Sequence, residues 1–212
     1  MQWDDLKFFN PFAEILHTAN VLPHWQQPGA TYFITFRLGD SIPAALRSQL
    51  EMEREQWHVQ HPLPWSPETE AEYHLRFSKQ VDQWLDAAYG SCVLHNPETR
   101  KIVENALLHF DDGRHFHHAW VIMPTHVHCL TTLHPAVRLE DVVKSWKGFS
   151  ASSINKHLDR AGSLWQEDYF DRLIRDADHF ANCVRYIRRN PAKAGLKPDE
   201  HTHFESDFAK HL

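Results

Sequence analysis

The chain predicts an α+β fold: a ferredoxin-like antiparallel sheet with helices on one face, plus a helical insertion. Three observations carry that expectation. Residues 31–38, Thr-Tyr-Phe-Ile-Thr-Phe-Arg-Leu, are β-branched and aromatic almost throughout, the composition of a strand. Two further extended stretches, His115–Met123 and His126–Leu133, are separated only by Pro124-Thr125, which reads as an antiparallel hairpin. Around them lie segments with apolar residues at helical spacing. The resulting order is strand, helices, hairpin, helix, strand, helix.

The elements follow in chain order. Residues 1–28 read as an irregular lead-in holding Pro11, Pro23 and Pro28. After the strand comes a polar stretch, 41–90, that interrupts the pattern as an insertion. Ser41 suits the cap of a helix through about His58, with Pro43 near its first turn. Pro62, Pro64 and Pro67 break it, and a second helix runs from Pro67 to about Ala88 with Trp84, Leu85 and Ala88 among its apolar positions. Asn96-Pro97-Glu98 opens a helix through about Phe110, carrying Ile102, Val103, Ala106 and Leu107, and Asp111-Asp112-Gly113 closes it. Leu139–Leu158 has helical spacing in Val142, Val143, Trp146, Phe149 and Ile154. Ser163–Ile174 reads as extended. Asp176 or Asp178 caps the last main helix, in which Phe180, Val184 and Ile187 form an apolar stripe. Pro191 disfavours helix at the residue before it, so that helix is expected to end at Asn190. The expected organisation is one domain, 1–212, with 41–90 inserted and 199–212 an acidic tail whose last dozen residues are the least suited to order.

With 212 residues, 42% hydrophobic, 13 Phe and 8 Trp, the chain can bury a real core. Three cysteines without metal-ligand spacing suggest a reducing compartment. The acidic opening and the lack of any apolar run near 18 residues point to a soluble cytoplasmic protein with no membrane partner. Net charge is −6, which argues against a nucleic-acid partner until its distribution is read. Residues 1–112 carry 8 Lys/Arg against 16 Asp/Glu, residues 113–198 carry 13 against 8, and residues 199–212 carry 1 against 4. The basic segment matters most, because phosphate contacts act over roughly 8–10 Å.

That basic segment also holds the candidate site. His126 and His128 alternate along a strand and so share one face, while Val127 and Cys129 take the other. Three His-x-His pairs occur, His115/His117, His126/His128 and His201/His203, as 18 histidines make such pairs cheap. His126/His128 stands out because it follows a hairpin turn. Tyr186 and Asn190 lie one helical turn apart and share a face. Two imidazoles leave a divalent ion open to oxygen ligands, and the Asn190 carbonyl can supply one; Asn190 equally suits a helix end before proline. Tyr186 sits beside the apolar stripe, as either a rim tyrosine or a nucleophile. Arg185, Arg188 and Arg189 nearby would favour its phenolate, which a phenol with a pKa near 10 needs. Attack on phosphorus by tyrosine exchanges one phosphodiester for another and needs no nucleotide cofactor.

The segments Trp120-Val-Ile-Met-Pro-Thr-His-Val-His128, Leu164-Trp-Gln-Glu-Asp-Tyr-Phe-Asp-Arg172 and Arg185-Tyr-Ile-Arg-Arg-Asn-Pro-Ala-Lys-Ala-Gly-Leu196 together resemble a single-tyrosine HUH transposase. Within that superfamily the chain is most similar to the REP-associated tyrosine transposases, over roughly 31–38 and 92–196. The resemblance implies action on single-stranded DNA with hairpin or repeat elements, with Mg²⁺ or Mn²⁺. It implies His126, His128 and Asn190 as metal ligands and Tyr186 as nucleophile, through a 5′-phosphotyrosine link. Relatives act as monomers or homodimers. Thr125 departs from the Asn of many relatives, which is expected to alter the hairpin turn and leave the chemistry alone; the acidic 41–90 insertion is longer than a minimal member needs.

Candidate DNA contacts are Lys144, Lys147, Arg172, Arg175, Arg185, Arg188, Arg189 and Lys193. Trp165 is a candidate for stacking on an unpaired base, whereas Trp146 falls on an apolar stripe and reads as core. A histidine-triad nucleotide hydrolase would need a third alternating histidine where Leu130 stands. The alternative that stays open is a domesticated sequence-specific DNA-binding module without cleavage.

Overall fold

The computed structural model describes residues 3, 6–19, 23–62 and 65–212. A small antiparallel hairpin of β1 (Leu16–Ala19) and β2 (Pro23–Gln26) precedes β3 (Thr31–Arg37). The 41–90 region contains α1 (Ala44–Gln60), α2 (Pro67–Tyr73), a π-helical stretch (His74–Ser78) and α3 (Lys79–Asp86). Then come α4 (Pro97–Leu108), the hairpin β4 (His115–Ile122) and β5 (His126–Leu133), α5 (Leu139–His157), β6 (Phe170–Leu173) and α6 (Ala177–Lys193). Strand β7 (Thr202–Glu205) and α7 (Asp207–Lys210) close the chain.

Five strands form one antiparallel sheet in the order β6-β3-β5-β4-β7. Without β7 this is the ferredoxin-like order expected from the element sequence. Alternation assigns the faces. Tyr32, Ile34 and Phe36 of β3, Val127 and Cys129 of β5, and Trp120 and Ile122 of β4 pack into one core with Val103, Leu107, Val142 and Trp146 of α4 and α5. Ala119, Val121 and Leu130 face the other way, onto Phe180, Val184 and Ile187 of α6. Helices on one face were expected; α4 and α5 meet that expectation, while α6 covers the opposite face. The reason is that β4 and β5 carry apolar side chains on both faces, so leaving one to water would be costly.

Three local expectations change. The lead-in contains a two-stranded hairpin, whose four-residue strands are too short to show alternation. The expected acidic tail is ordered along β4, Trp120 stacking on Phe204 at 5.5 Å. Helix α6 runs through Pro191 instead of ending at Asn190. Proline there forfeits one backbone bond; the true stop is Gly195 at φ 70°, where Gly195 N–H bonds Ala192 O and Leu196 N–H bonds Pro191 O. The insertion has a small core of its own: Leu50, Trp57 and Phe77, with Tyr73 and Trp84 against it. No helix among the described residues is long and apolar enough to cross a membrane.

His24 fastens the first hairpin to the sheet. It is 3% exposed, stacks on Tyr169 at 4.3 Å, and contacts Asp168 Oδ1 at 3.0 Å through Nε2 and Asp171 through Nδ1. Burial opposes its charge, but the two aspartates more than offset this and push its pKa from 6.5 up to about 9. A folded-state value above the unfolded one stabilises fully below about pH 6.5 and fades as pH rises through 9. The melting temperature of the native chain should exceed that of His24→Gln most at pH 6, the gap closing by pH 10. A gap independent of pH would remove the charged pin.

Candidate active site

His126 and His128 project from β5 toward α6 because Val127 and Cys129 are taken into the α4/α5 core. Both are 1% exposed, and their rings lie 4.6 Å apart. Each has its Nδ1 held from behind. Thr35, opposite His128 in the β3–β5 register, places Oγ1 at 2.7 Å from His128 Nδ1. Thr125 Oγ1 lies 3.0 Å from His126 Nδ1 and donates to the Leu85 carbonyl at 3.2 Å. A hydroxyl has one proton, so with it spent on Leu85 the hydroxyl accepts from His126 Nδ1–H. His126 therefore carries its lone pair on Nε2. Thr125, read from sequence as a change of turn geometry, orients a site histidine. Burial also lowers both imidazole pKa values, His126 to about 3, so each is neutral and able to ligate.

From the other side, α6 delivers Tyr186 and Asn190. The Tyr186 hydroxyl is 3.5 Å from His128 Nε2, and its ring meets His128 and Phe33 edge-on at 5.2 and 5.7 Å. Asn190 is 1% exposed. Two buried acceptors here have no hydrogen-bond partner, His126 Nε2 and Asn190 Oδ1. An unsatisfied buried acceptor is costly, and two together with the neutral His128 suit a divalent cation taking nitrogen and oxygen ligands. The donor set fits the metal that the sequence implies.

The expected activation of Tyr186 by arginines is not what the structure has. Its pKa is raised, first by burial and then by the charge of Asp82, with Asn190 acting in the opposite direction. Arg185 points away to Asn182 Oδ1, and Arg188 is held by Glu205 through two 2.8 Å bonds and by Ala209 O. Helix periodicity turns both away from the Tyr186 face.

The 41–90 region supplies residues that the sequence did not single out. Helix α3 lies against the hairpin turn through Leu85, 2% exposed. One turn apart on it, Asp82 faces the Tyr186 hydroxyl and Asp86 bonds Lys193 Nζ at 2.8 Å. Burial pushes Asp82 up to about 6, against the influence of Tyr186 and Lys193. An Asp-x-x-x-Asp spacing in an acidic helix was the available signal, but nothing local tied it to a site 40 residues or more away. Arg37, opposite His126 in the register and bonded to Ser41 Oγ at 3.1 Å, was also missed.

The candidate DNA contacts divide by location. Arg172, opposite Phe33 in the β3–β6 register, shares the face of the site, and Arg189 and Lys193 lie three and seven residues beyond Tyr186 on α6. Arg175 is exposed in the turn before α6. Lys144 and Lys147 belong to α5, in the layer behind the sheet, and Lys147 Nζ donates to Glu167 O at 2.6 Å. Trp165 is 4% exposed, donates its indole N–H to Ser150 Oγ at 3.0 Å and packs edge-on against Phe36. Its ring is core and is not available to stack on a base. Trp146 is core as expected, at 1% exposure.

Residues 94–190, which span the histidine pair, Tyr186 and Asn190, match the family model described as IS200-like transposase. Over 99 residues the chain is 29% identical to the REP-associated tyrosine transposase of Escherichia coli (strain K12), covering 45% of this chain and 56% of that protein. The match thus spans little more than half the length of that curated relative. Among solved structures, a REP-associated tyrosine transposase bound to a REP hairpin is 14% identical, with 90% of this chain and 93% of the other covered at a TM-score of 0.41. A Deinococcus radiodurans R1 protein ascribed to the transposases is 16% identical, with 87% and 98% covered at a TM-score of 0.36.

The Thr125 arrangement can be checked directly. Thr125→Val should weaken Mn²⁺ binding, read by isothermal titration calorimetry, by about 10-fold or more, while Thr125→Ser restores it. Equal affinity in all three proteins would show that the hydroxyl does not orient His126.

Proposed function

We propose that this chain, whose residues 94–190 match the IS200-like transposase family, cleaves and rejoins single-stranded DNA through a 5′-phosphotyrosine intermediate, at hairpin-containing repeats. One observation carries the reading: the Tyr186 hydroxyl stands beside His128 Nε2, and the buried acceptors His126 Nε2 and Asn190 Oδ1 lack partners. The hairpin substrate is proposed from the sequence resemblance to the REP-associated tyrosine transposases.

In this mechanism His126, His128 and Asn190 would hold Mg²⁺ or Mn²⁺, which would supply positive charge to the phosphate in the transition state. Thr125 and Thr35 fix the two imidazole rings. Tyr186 attacks phosphorus, and Asp82 faces its hydroxyl where the phenolic proton must go. The product is a DNA–tyrosine ester and a free 3′ hydroxyl. Because one phosphodiester replaces another, the step is reversible and allows rejoining. Arg172, Arg189 and Lys193 are placed to bind backbone phosphates. Residues 1–212 work as one domain in this reading, with 41–90 an insertion capping the site and 199–212 an acidic tail. The protein acts as a monomer or homodimer in the cytoplasm.

Incubation with a labelled hairpin-bearing oligonucleotide and Mn²⁺ should give a covalent adduct that survives boiling in detergent. Tyr186→Phe should abolish it, and His126→Ala should reduce it at least about a hundredfold while leaving hairpin affinity within a few-fold. An adduct that persists in Tyr186→Phe would remove the nucleophile. Hairpin binding with no adduct in the native protein would leave the binding-module alternative.

A further inference from the structure

Behind the sheet, on the face away from Tyr186, a second group of metal-ligand side chains comes together. Asp111, His115 and His117 bring one ligand atom each to within 4.8 Å of the others. Asp111 stands in the turn after α4, and the histidines alternate at the start of β4. Backbone pairing fixes their spacing: Asp111 bridges His115, Asp112 N–H bonds His115 O at 2.8 Å, and His117 N–H bonds Asp111 Oδ1 at 3.0 Å. Asp112 holds this turn at φ 63°.

We propose that Asp111, His115 and His117 form a structural cation site that takes Zn²⁺, stapling the C-terminus of α4 to the first strand of the catalytic hairpin. The histidines are 3% and 1% exposed, and burial keeps both neutral. Their Nε2 atoms converge on one point, each 3.1 Å from the Leu107 carbonyl. Thr131 Oγ1 lies 2.7 Å from His117 Nδ1 and can accept its proton, leaving the lone pair on Nε2. His115 Nδ1 is buried without a partner. Trp146 walls the cluster, stacked on His117 at 5.3 Å and edge-on to His115 at 5.1 Å. Two imidazoles and one carboxylate, with the half-buried Asp111 leaving a fourth position open to water, favour Zn²⁺ over Mg²⁺, which prefers oxygen ligands. Without a cation the same histidines would only donate to Leu107, capping α4; the two arrangements differ in what they bind. The site is separate from the cleavage chemistry and stands whether or not the chain cleaves DNA.

The test uses the full chain bearing His126→Ala, so that the pair on β5 does not contribute, stripped with a chelator and titrated with Co²⁺ alone. One Co²⁺ per chain should bind with the intense visible absorption of a four-coordinate site, be displaced by Zn²⁺, and leave the protein with a higher melting temperature. Adding Asp111→Asn, which keeps an acceptor for His117 N–H, should weaken binding at least about 10-fold, and adding His115→Gln should abolish it. Circular dichroism of the Asp111→Asn protein checks that the fold persists. Absence of the Co²⁺ spectrum, or a spectrum indifferent to both added substitutions, would overturn the site and leave helix capping as the role of the two histidines.

Discussion

Burial of β5 on both faces is the constraint on which the rest depends. The strand lies at the centre of the sheet, with α4 and α5 behind it and α6 in front. Alternation then leaves no freedom. Once Val127 and Cys129 fill the rear core, His126 and His128 must enter the front layer, where water is excluded and their charge suppressed. A slip of one residue would bury both imidazoles among leucines and valines and remove them from the front layer. Register and site are therefore the same fact. The threonines at 35 and 125 follow from it, since a neutral buried imidazole still needs a partner for the nitrogen that faces backward.

The front layer is closed by an acidic element. Most of the chain's negative excess lies in residues 1–112, and α3 turns part of it onto the most basic helix. Asp86 bonds Lys193 and Asp82 lies against Tyr186. Asp86 engages the lysine, while Asp82 gives the phenol a carboxylate acceptor beside two neutral imidazoles. The aromatic cluster of Trp57, Phe77, Tyr73 and Trp84 gives the insertion enough packing to hold α3 in place.

Histidine serves three different ends in this fold. His24 is charged, because two aspartates outweigh its burial. His126 and His128 are neutral with their Nε2 atoms directed forward. His118 is neutral because burial lowers its pKa to about 3, and it bonds Thr132 Oγ1 at 2.7 Å and packs on Phe180. What separates these roles is the nature of the groups within bonding distance, which residue type and burial alone leave undecided.

The sequence by itself determined the α+β class, the hairpin of residues 115–133, the helices at 97–108 and 139–157, and the sharing of a face by His126 with His128 and by Tyr186 with Asn190. Each is a matter of local period, capping or turn chemistry, and those act within a few residues. Only the tertiary structure decided that α6 crosses the front of the sheet, that Gly195 and not Pro191 ends it, that Trp165 is core, and that Arg188 belongs to Glu205. It also brought Asp82 and Asp86 to a tyrosine and a lysine about a hundred residues further on. Period and propensity report which side of an element is apolar. They carry no information about which distant element comes to cover that side, because that depends on the free energy of packing whole layers together.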